Sequence, residues 1–112
     1  MKETVERRLA ANEDVFRKVN EGIERGQWPG WAGGADAPIA FRCECARLGC
    51  NKLLTLTLSD YERVRADARQ FVVLAGHEVP SVERIVERRG EIVIVVKTGA
   101  AAHEAAERDP RS

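Results

Sequence analysis

The sequence predicts an α+β fold in which a long N-terminal amphipathic helix precedes a small zinc-stapled domain of antiparallel hairpins and one short helix. Three observations predict it. All three cysteines fall in FRCECARLGC (Phe41 to Cys50) at a C-x-C-x4-C spacing, and His77 follows in the phrase GHEVP. An apolar seam recurs every three or four residues near the N-terminus. Two runs, KLLTLTLS and EIVIVVK, carry the alternation and β-branching of strands. On this reading the chain divides into a helix over 1–26, a Trp/Gly/Pro linker over 27–38, a zinc-binding domain over 39–98 and a polar tail over 99–112.

The helix comes first. Val5, Leu9, Asn12, Phe16, Val19 and Ile23 are spaced four, three, four, three and four residues apart, a coiled-coil-like seam with one polar member. The other faces carry Glu3–Arg7, Glu13–Arg17, Asp14–Lys18 and Glu21–Arg25 at i,i+4 in the acid-first order, each worth about 0.2–0.5 kcal/mol. Gly26 supplies a stop. Leu9, Phe16, Val19 and Ile23 need a cover, which is the chain's own sheet, a second copy or a foreign partner. The linker QWPGWAGGADAP cannot hold regular structure, and its Trp28 and Trp31 either pin the helix to the domain or meet a protein partner.

Within 39–98, Ile39 to Arg42 reads as a short strand and Lys52 to Ser59 as a second, so the cysteine loop becomes the tip of a hairpin. Ser59-Asp60-Tyr61-Glu62 reads as a capping box opening a helix to about Arg69, with Tyr61, Val64 and Ala68 facing inward. Phe71 to Ala75 is a buried strand, and Gly76-His77-Glu78 turns out of it. Val82 to Glu87 and Glu91 to Lys97 flank Arg88-Arg89-Gly90 as a second hairpin. The residues from Gly99 onward form at most a short frayed helix and a polar tail.

Three thiolates and one imidazole are a complete ligand set for tetrahedral Zn²⁺, which assigns Cys43, Cys45, Cys50 and His77 to one site. The spacing requires a sharp turn between Cys43 and Cys45, and Gly49 helps the loop to close. Two other accounts stand beside it: buried structural cysteines with a surface histidine, and a CxC redox couple, which needs an accessible thiolate of low pKa. With four protein ligands the zinc is structural, since catalytic zinc keeps a position for water. Glu78 follows His77, but no HExxH or deaminase pattern surrounds it, so it reads as a supporting or surface carboxylate. His103 receives no role.

Composition narrows the function classes. Lys+Arg and Asp+Glu both number 18 in 112 residues, so the formal charge is zero, against the basic excess of a dedicated nucleic-acid binder. The N-terminus MKETVERRLAANED has charges where a secretory signal needs an apolar run, and no stretch is long and apolar enough for a membrane helix. The chain is therefore expected in the cytoplasm, where an odd set of cysteines favours metal over disulfides.

The phrases NEDVFRKVNEGIE, FRCECARLGC, LTLSDYERVRADARQFVVLAGHEVP, ERIVERRGEIVIVVK and the terminal DPRS give the chain a resemblance. It is similar to a family of small, mostly uncharacterised proteins of high-GC Gram-positive (actinobacterial) bacteria. The resemblance covers nearly all of the chain except the linker and is most specific at CEC…C and DYERVR…F.V..GHE.P. It implies that the four ligands belong together and that helix and zinc domain act as one unit, and it supplies no reaction. The expectation is a non-enzymatic, zinc-stabilised interaction or regulatory module working through a protein partner or self-association. Nucleic-acid binding through Arg42, Arg47 and Lys52 is the alternative, and a thiol-redox or metal-dependent enzyme a further one.

Overall fold

Period-two burial lays down the first hairpin of the computed structural model, which describes residues 15–24, 38–45, 50 and 52–111. Strand β1 (Pro38–Arg42) pairs antiparallel with β2 (Leu53–Thr57), Ile39 opposite Leu56 and Phe41 opposite Leu54. These four side chains are buried on one face, and the intervening residues are more exposed. Helix α2 (Leu58–Arg65) follows β2 without a loop. Its cap is Thr57 rather than the expected Ser59: Thr57 keeps strand geometry while its Oγ1 accepts the Asp60 N–H at 3.0 Å. Starting the helix earlier puts Leu58 inside with Tyr61 and Val64. It also ends earlier, so Ala68 falls in the following turn and not on the inner face.

The second sheet has the order β3-β5-β4, formed by β3 (Gln70–Leu74), β4 (Glu83–Arg89) and β5 (Ile92–Lys97), all antiparallel. Its central strand is the apolar IVIVV run, in which Val93, Ile94, Val95 and Val96 are all buried. A strand covered on both faces reads as a continuous apolar run rather than an alternating one. The hairpin loop is Gly90-Glu91, with Gly90 at φ +60°, while Arg88 and Arg89, expected in the turn, pair with Val93 and Ile92. A register shift between Ile85 and Glu87 turns Val86 outward.

The C-terminal residues are more ordered than a frayed tail. Helix α3 (Gly99–Glu107) buries Ala101 and Ala105, small side chains that let it lie close to the sheet. Beyond it, Arg65 pairs with Asp109, and Arg111 reaches Glu21 (2.6 Å), Glu24 (3.1 Å) and Glu62 (2.8 Å).

The N-terminal helix is the largest departure from expectation. The described helix, α1, covers residues 15–24. The long rod over 3–26 is not supported, and Val5, Leu9, Asn12, Trp28 and Trp31 lie outside the described residues. The apolar stripe of α1 is only partly covered by the chain, and polar groups of the helix are buried more deeply. Val15 and Val19 are 58% and 40% exposed, Phe16 and Ile23 are half-buried, and Arg17, Asn20, Glu21 and Glu24 are buried. Polar groups can occupy that position because each of these side chains has hydrogen-bond partners. The Arg17 guanidinium donates to the carbonyls of Ala68 (2.7 Å) and Ala105 (2.9 Å) and lies 4.6 Å from the Phe71 ring centroid. Glu21 accepts from Arg65 at 2.5 Å. No helix among the described residues is long and apolar enough to cross a membrane.

Arg17 thus ties α1 to the turn before β3 and to α3. Replacing it by Ala is expected to lower stability by about 2–4 kcal/mol through two lost charge-assisted bonds and an unfilled space, read as a lower urea midpoint.

The ion cluster at Arg111 carries a pH dependence. Burial and the neighbouring Glu62 carboxylate raise Glu24 to about 8, whereas Arg111 lowers Glu62 to about 2. A carboxyl raised in the folded state contributes stability that is whole below its unfolded value of 4.5 and is lost as pH rises through about 8. The urea midpoint is therefore expected to fall between about pH 5 and 8.5, and Glu24→Gln should flatten that decline.

Candidate metal centre

Two loops bring the four sequence-predicted ligands together. The first is the tip of the β1–β2 hairpin, where the ladder continues one step past the strands through Cys43 N–H to the Lys52 carbonyl at 3.1 Å. The second is the turn leaving β3. There the Ala75 N–H donates to the Glu91 carbonyl (2.7 Å), the His77 N–H donates to the Leu74 carbonyl (2.9 Å), and Gly76 takes φ +92°. Glu78 closes this turn by accepting the Gly76 N–H at 2.7 Å, so it supports the loop that presents His77.

Cys43, Cys45, Cys50 and His77 place their ligand atoms within 4.8 Å of one another. His77 Nδ1 lies 3.6 Å from Cys43 Sγ and 3.7 Å from Cys50 Sγ. A tetrahedral zinc with Zn–S of about 2.3 Å and Zn–N of about 2.05 Å separates a sulfur and a nitrogen ligand by about 3.6 Å. The donor set therefore fits a zinc-sized ion. Cys43 and Cys45 form the buried half of the cluster, Cys50 and His77 the half-exposed one, and all three cysteines are free of disulfides.

No sharp turn is needed between Cys43 and Cys45. Side chains two residues apart in extended chain share a face, and the residue between them points the other way. Glu44 is that residue, and it is completely buried. Its Oε2 accepts from Asn20 Nδ2 (2.9 Å) and the Tyr61 hydroxyl (2.8 Å), and its Oε1 accepts from the Val72 N–H (3.0 Å). Its own N–H donates to the Val72 carbonyl at 2.8 Å, which joins the cysteine hairpin to β3. Asn20 also brackets the Arg42 peptide group, donating to its carbonyl (2.8 Å) and accepting its N–H (2.7 Å). Composition and motif spacing did not point to Glu44 or Asn20. The available signal was the acid flanked by two ligands, which must face the interior if the cysteines face a metal.

The electrostatics favour a cation. Burial raises the Cys43 thiol, and charge on Cys45 or Cys50 raises it further, while the Leu74 N–H donated to its sulfur at 3.2 Å works the other way. Burial also acts to raise Cys50, but hydrogen bonding from the Lys52 backbone, Cys45 and Cys43, with the nearby Arg42 guanidinium, outweighs it and the thiol is lowered. Three sulfurs this close cannot all ionise unaided; a divalent ion removes that obstacle and releases their protons.

Of the residues expected to meet a partner, Phe16 lies under the Arg42 guanidinium at 5.0 Å, Ile23 packs on the core and Val19 faces solvent. Leu9, Trp28 and Trp31 are outside the described residues. A scan of protein-family models, a search of curated proteins and a search of solved structures each found no match.

Glu44 makes a sharp prediction, because its oxygens meet three donors. Glu44→Gln keeps the shape but turns an amide N–H₂ toward at least one of them, and is expected to destabilise the fold by about 1–3 kcal/mol in urea titration. Tyr61→Phe, which removes one donor without adding a conflict, should cost less.

Proposed function

We propose that this chain is a non-enzymatic, zinc-stabilised module that acts by contact with a protein partner, in a regulatory role. The observation that carries the reading is the Cys43/Cys45/Cys50/His77 cluster, whose sulfur–nitrogen separations of 3.6 and 3.7 Å match tetrahedral zinc. Four protein ligands complete a tetrahedral shell, leaving no position for a water or substrate, so the zinc serves the fold. Thiolate ligation also needs a reducing compartment, which supports a cytoplasmic setting.

Contact surface is available on α1 and on the cysteine hairpin. Val15 and Val19 stand one helical turn apart on the outward face of α1, and Leu53 is 58% exposed beside a hollow of about 330 Å³ that Leu74 and Ile92 also line. Such groups suit a partner with apolar side chains and a polar rim.

Metal analysis of protein purified without added chelator should find one zinc per chain. Cys43→Ser, Cys45→Ser, Cys50→Ser and His77→Ala should each lower zinc content and melting temperature, since a site that exists only in the folded chain turns metal-binding free energy into folding free energy. Stoichiometric zinc in His77→Ala at unchanged stability would refute the four-ligand site.

A further inference from the structure

We infer that occupancy of the metal centre controls the docking of helix α1, so that zinc binding and α1 docking are two ends of one equilibrium. This rests on the zinc reading above and adds a regulation of the same site.

Part of the surface that receives α1 is the metal loop itself, beside the anchors on Ala68, Ala105, Arg65 and Arg111. Asn20 makes three hydrogen bonds, two to the Arg42 peptide group and one to Glu44, and residues 42–44 lead into the first two ligands. Phe16, one turn earlier, lies 5.0 Å from the Arg42 guanidinium, and that same guanidinium donates to the carbonyl of the ligand Cys50 at 2.8 Å. Each of these Asn20 and Phe16 contacts ends on Arg42 or Glu44, the immediate neighbours of Cys43 and Cys45. The helix thus touches the hairpin tip at residues 42–44, and Arg42 carries that contact on to Cys50, so it bears on the two points that a metal would hold together.

The grip has two discrete states for a physical reason. Arg17, Asn20, Glu21 and Glu24 are buried only while α1 is docked. A buried polar group is tolerable when every partner is in place and costly when some are missing, so the contacts form and break together. Loss of the metal frees Cys50 and Cys43 from one another, which lets the Arg42–Glu44 segment move away from Asn20. Strand β5 is hydrogen-bonded along both edges, to β3 and to β4, so its ladder does not depend on that loop even though Val93 and Val95 share a core with Cys43 and Cys45. Opening of α1 with the cysteine hairpin is then a sub-global event.

Linkage makes the coupling reciprocal: if zinc favours docking, a lesion that undocks α1 must weaken zinc by the same factor. The test uses the full chain and zinc alone, with affinity read by competition against a chelating dye. Asn20→Ala, which touches no ligand, is expected to weaken zinc about 5- to 150-fold. Phe16→Ala serves as a second variant should Asn20→Ala fold poorly, and should shift affinity in the same direction. Lys18→Ala, exposed on the same helix, should leave it unchanged. In hydrogen exchange read by mass spectrometry, chelation should strip protection from residues 16–24 while residues 92–97 keep theirs. Wild-type zinc affinity in both Asn20→Ala and Phe16→Ala would overturn the coupling while leaving the zinc reading intact. So would equal loss of protection in α1 and β5, which would make the metal a global staple. A wild-type chain that binds no zinc would instead remove the reading on which the coupling rests.

Discussion

The side chain of Glu44, with no exposed surface, is the constraint on which the rest of this structure depends. Placing a carboxylate there is costly, and burial accordingly raises its pKa against the hydrogen bonds that lower it. The cost is offset only if all three donors stay in place: Asn20 from α1, Tyr61 from α2 and Val72 from β3. One residue therefore requires three separate elements to converge. The Phe41 and Tyr61 rings, stacked at 4.5 Å, hold the phenol at the correct height for its share of the bond.

The same demand explains why an amphipathic helix packs with its polar side inward. An apolar face on α1 would bury more hydrocarbon, but it could not satisfy Glu44, the Arg42 peptide group, or the carbonyls of Ala68 and Ala105. Arg17 and Lys97 both lie near the Phe71 ring, at 4.6 and 5.2 Å, and the buried Lys97 is paired with Glu83. Arg65 similarly bridges Glu21 and Asp109. Such pairs are weak evidence for stability, because desolvation takes back much of the Coulomb gain. Their stronger effect is on specificity. Sliding α1 by one turn would leave several buried charges unmatched, whereas an apolar seam would tolerate the slip.

What could be read from the sequence follows which interactions are local. The C-x-C-x4-C spacing and His77 identified the cluster because ligand chemistry is written in residue type. The β1–β2 and β4–β5 hairpins were legible because alternation and apolar runs report burial directly. The Thr57 cap was missed because a Ser-x-x-Glu pattern competed with it, and only the depth of Leu58 decides between them. The face of α1 was misread for a deeper reason. Periodicity assumes that polar residues seek water, and Arg17, Asn20 and Glu21 find partners that lie 22 to 90 positions away in the chain. Nothing in a window of helix length records those partners. Residues 99–112 misled likewise, since alanines read as a frayed helix until a sheet comes close enough for Ala101 and Ala105 to cover.

The cysteine cluster and the Glu44 carboxylate lie on opposite sides of the segment that follows β1. Cys43 and Cys45 face the cluster, and Glu44 faces the donors Asn20, Tyr61 and Val72. A divalent ion held by three thiolates would leave one excess negative charge, and the Arg42 guanidinium lies close enough to the cluster to lower Cys50. Arg42 also donates to the Cys50 carbonyl, and its peptide group is bracketed by Asn20. It is thus the residue at which the charge of the metal site, the closure of the cysteine loop and the seat of α1 are joined. A lysine there would keep the charge but not the planar guanidinium that both faces Phe16 and reaches the Cys50 carbonyl. Geometry at Arg42, more than its charge, is what joins the cysteine loop to the seat of α1.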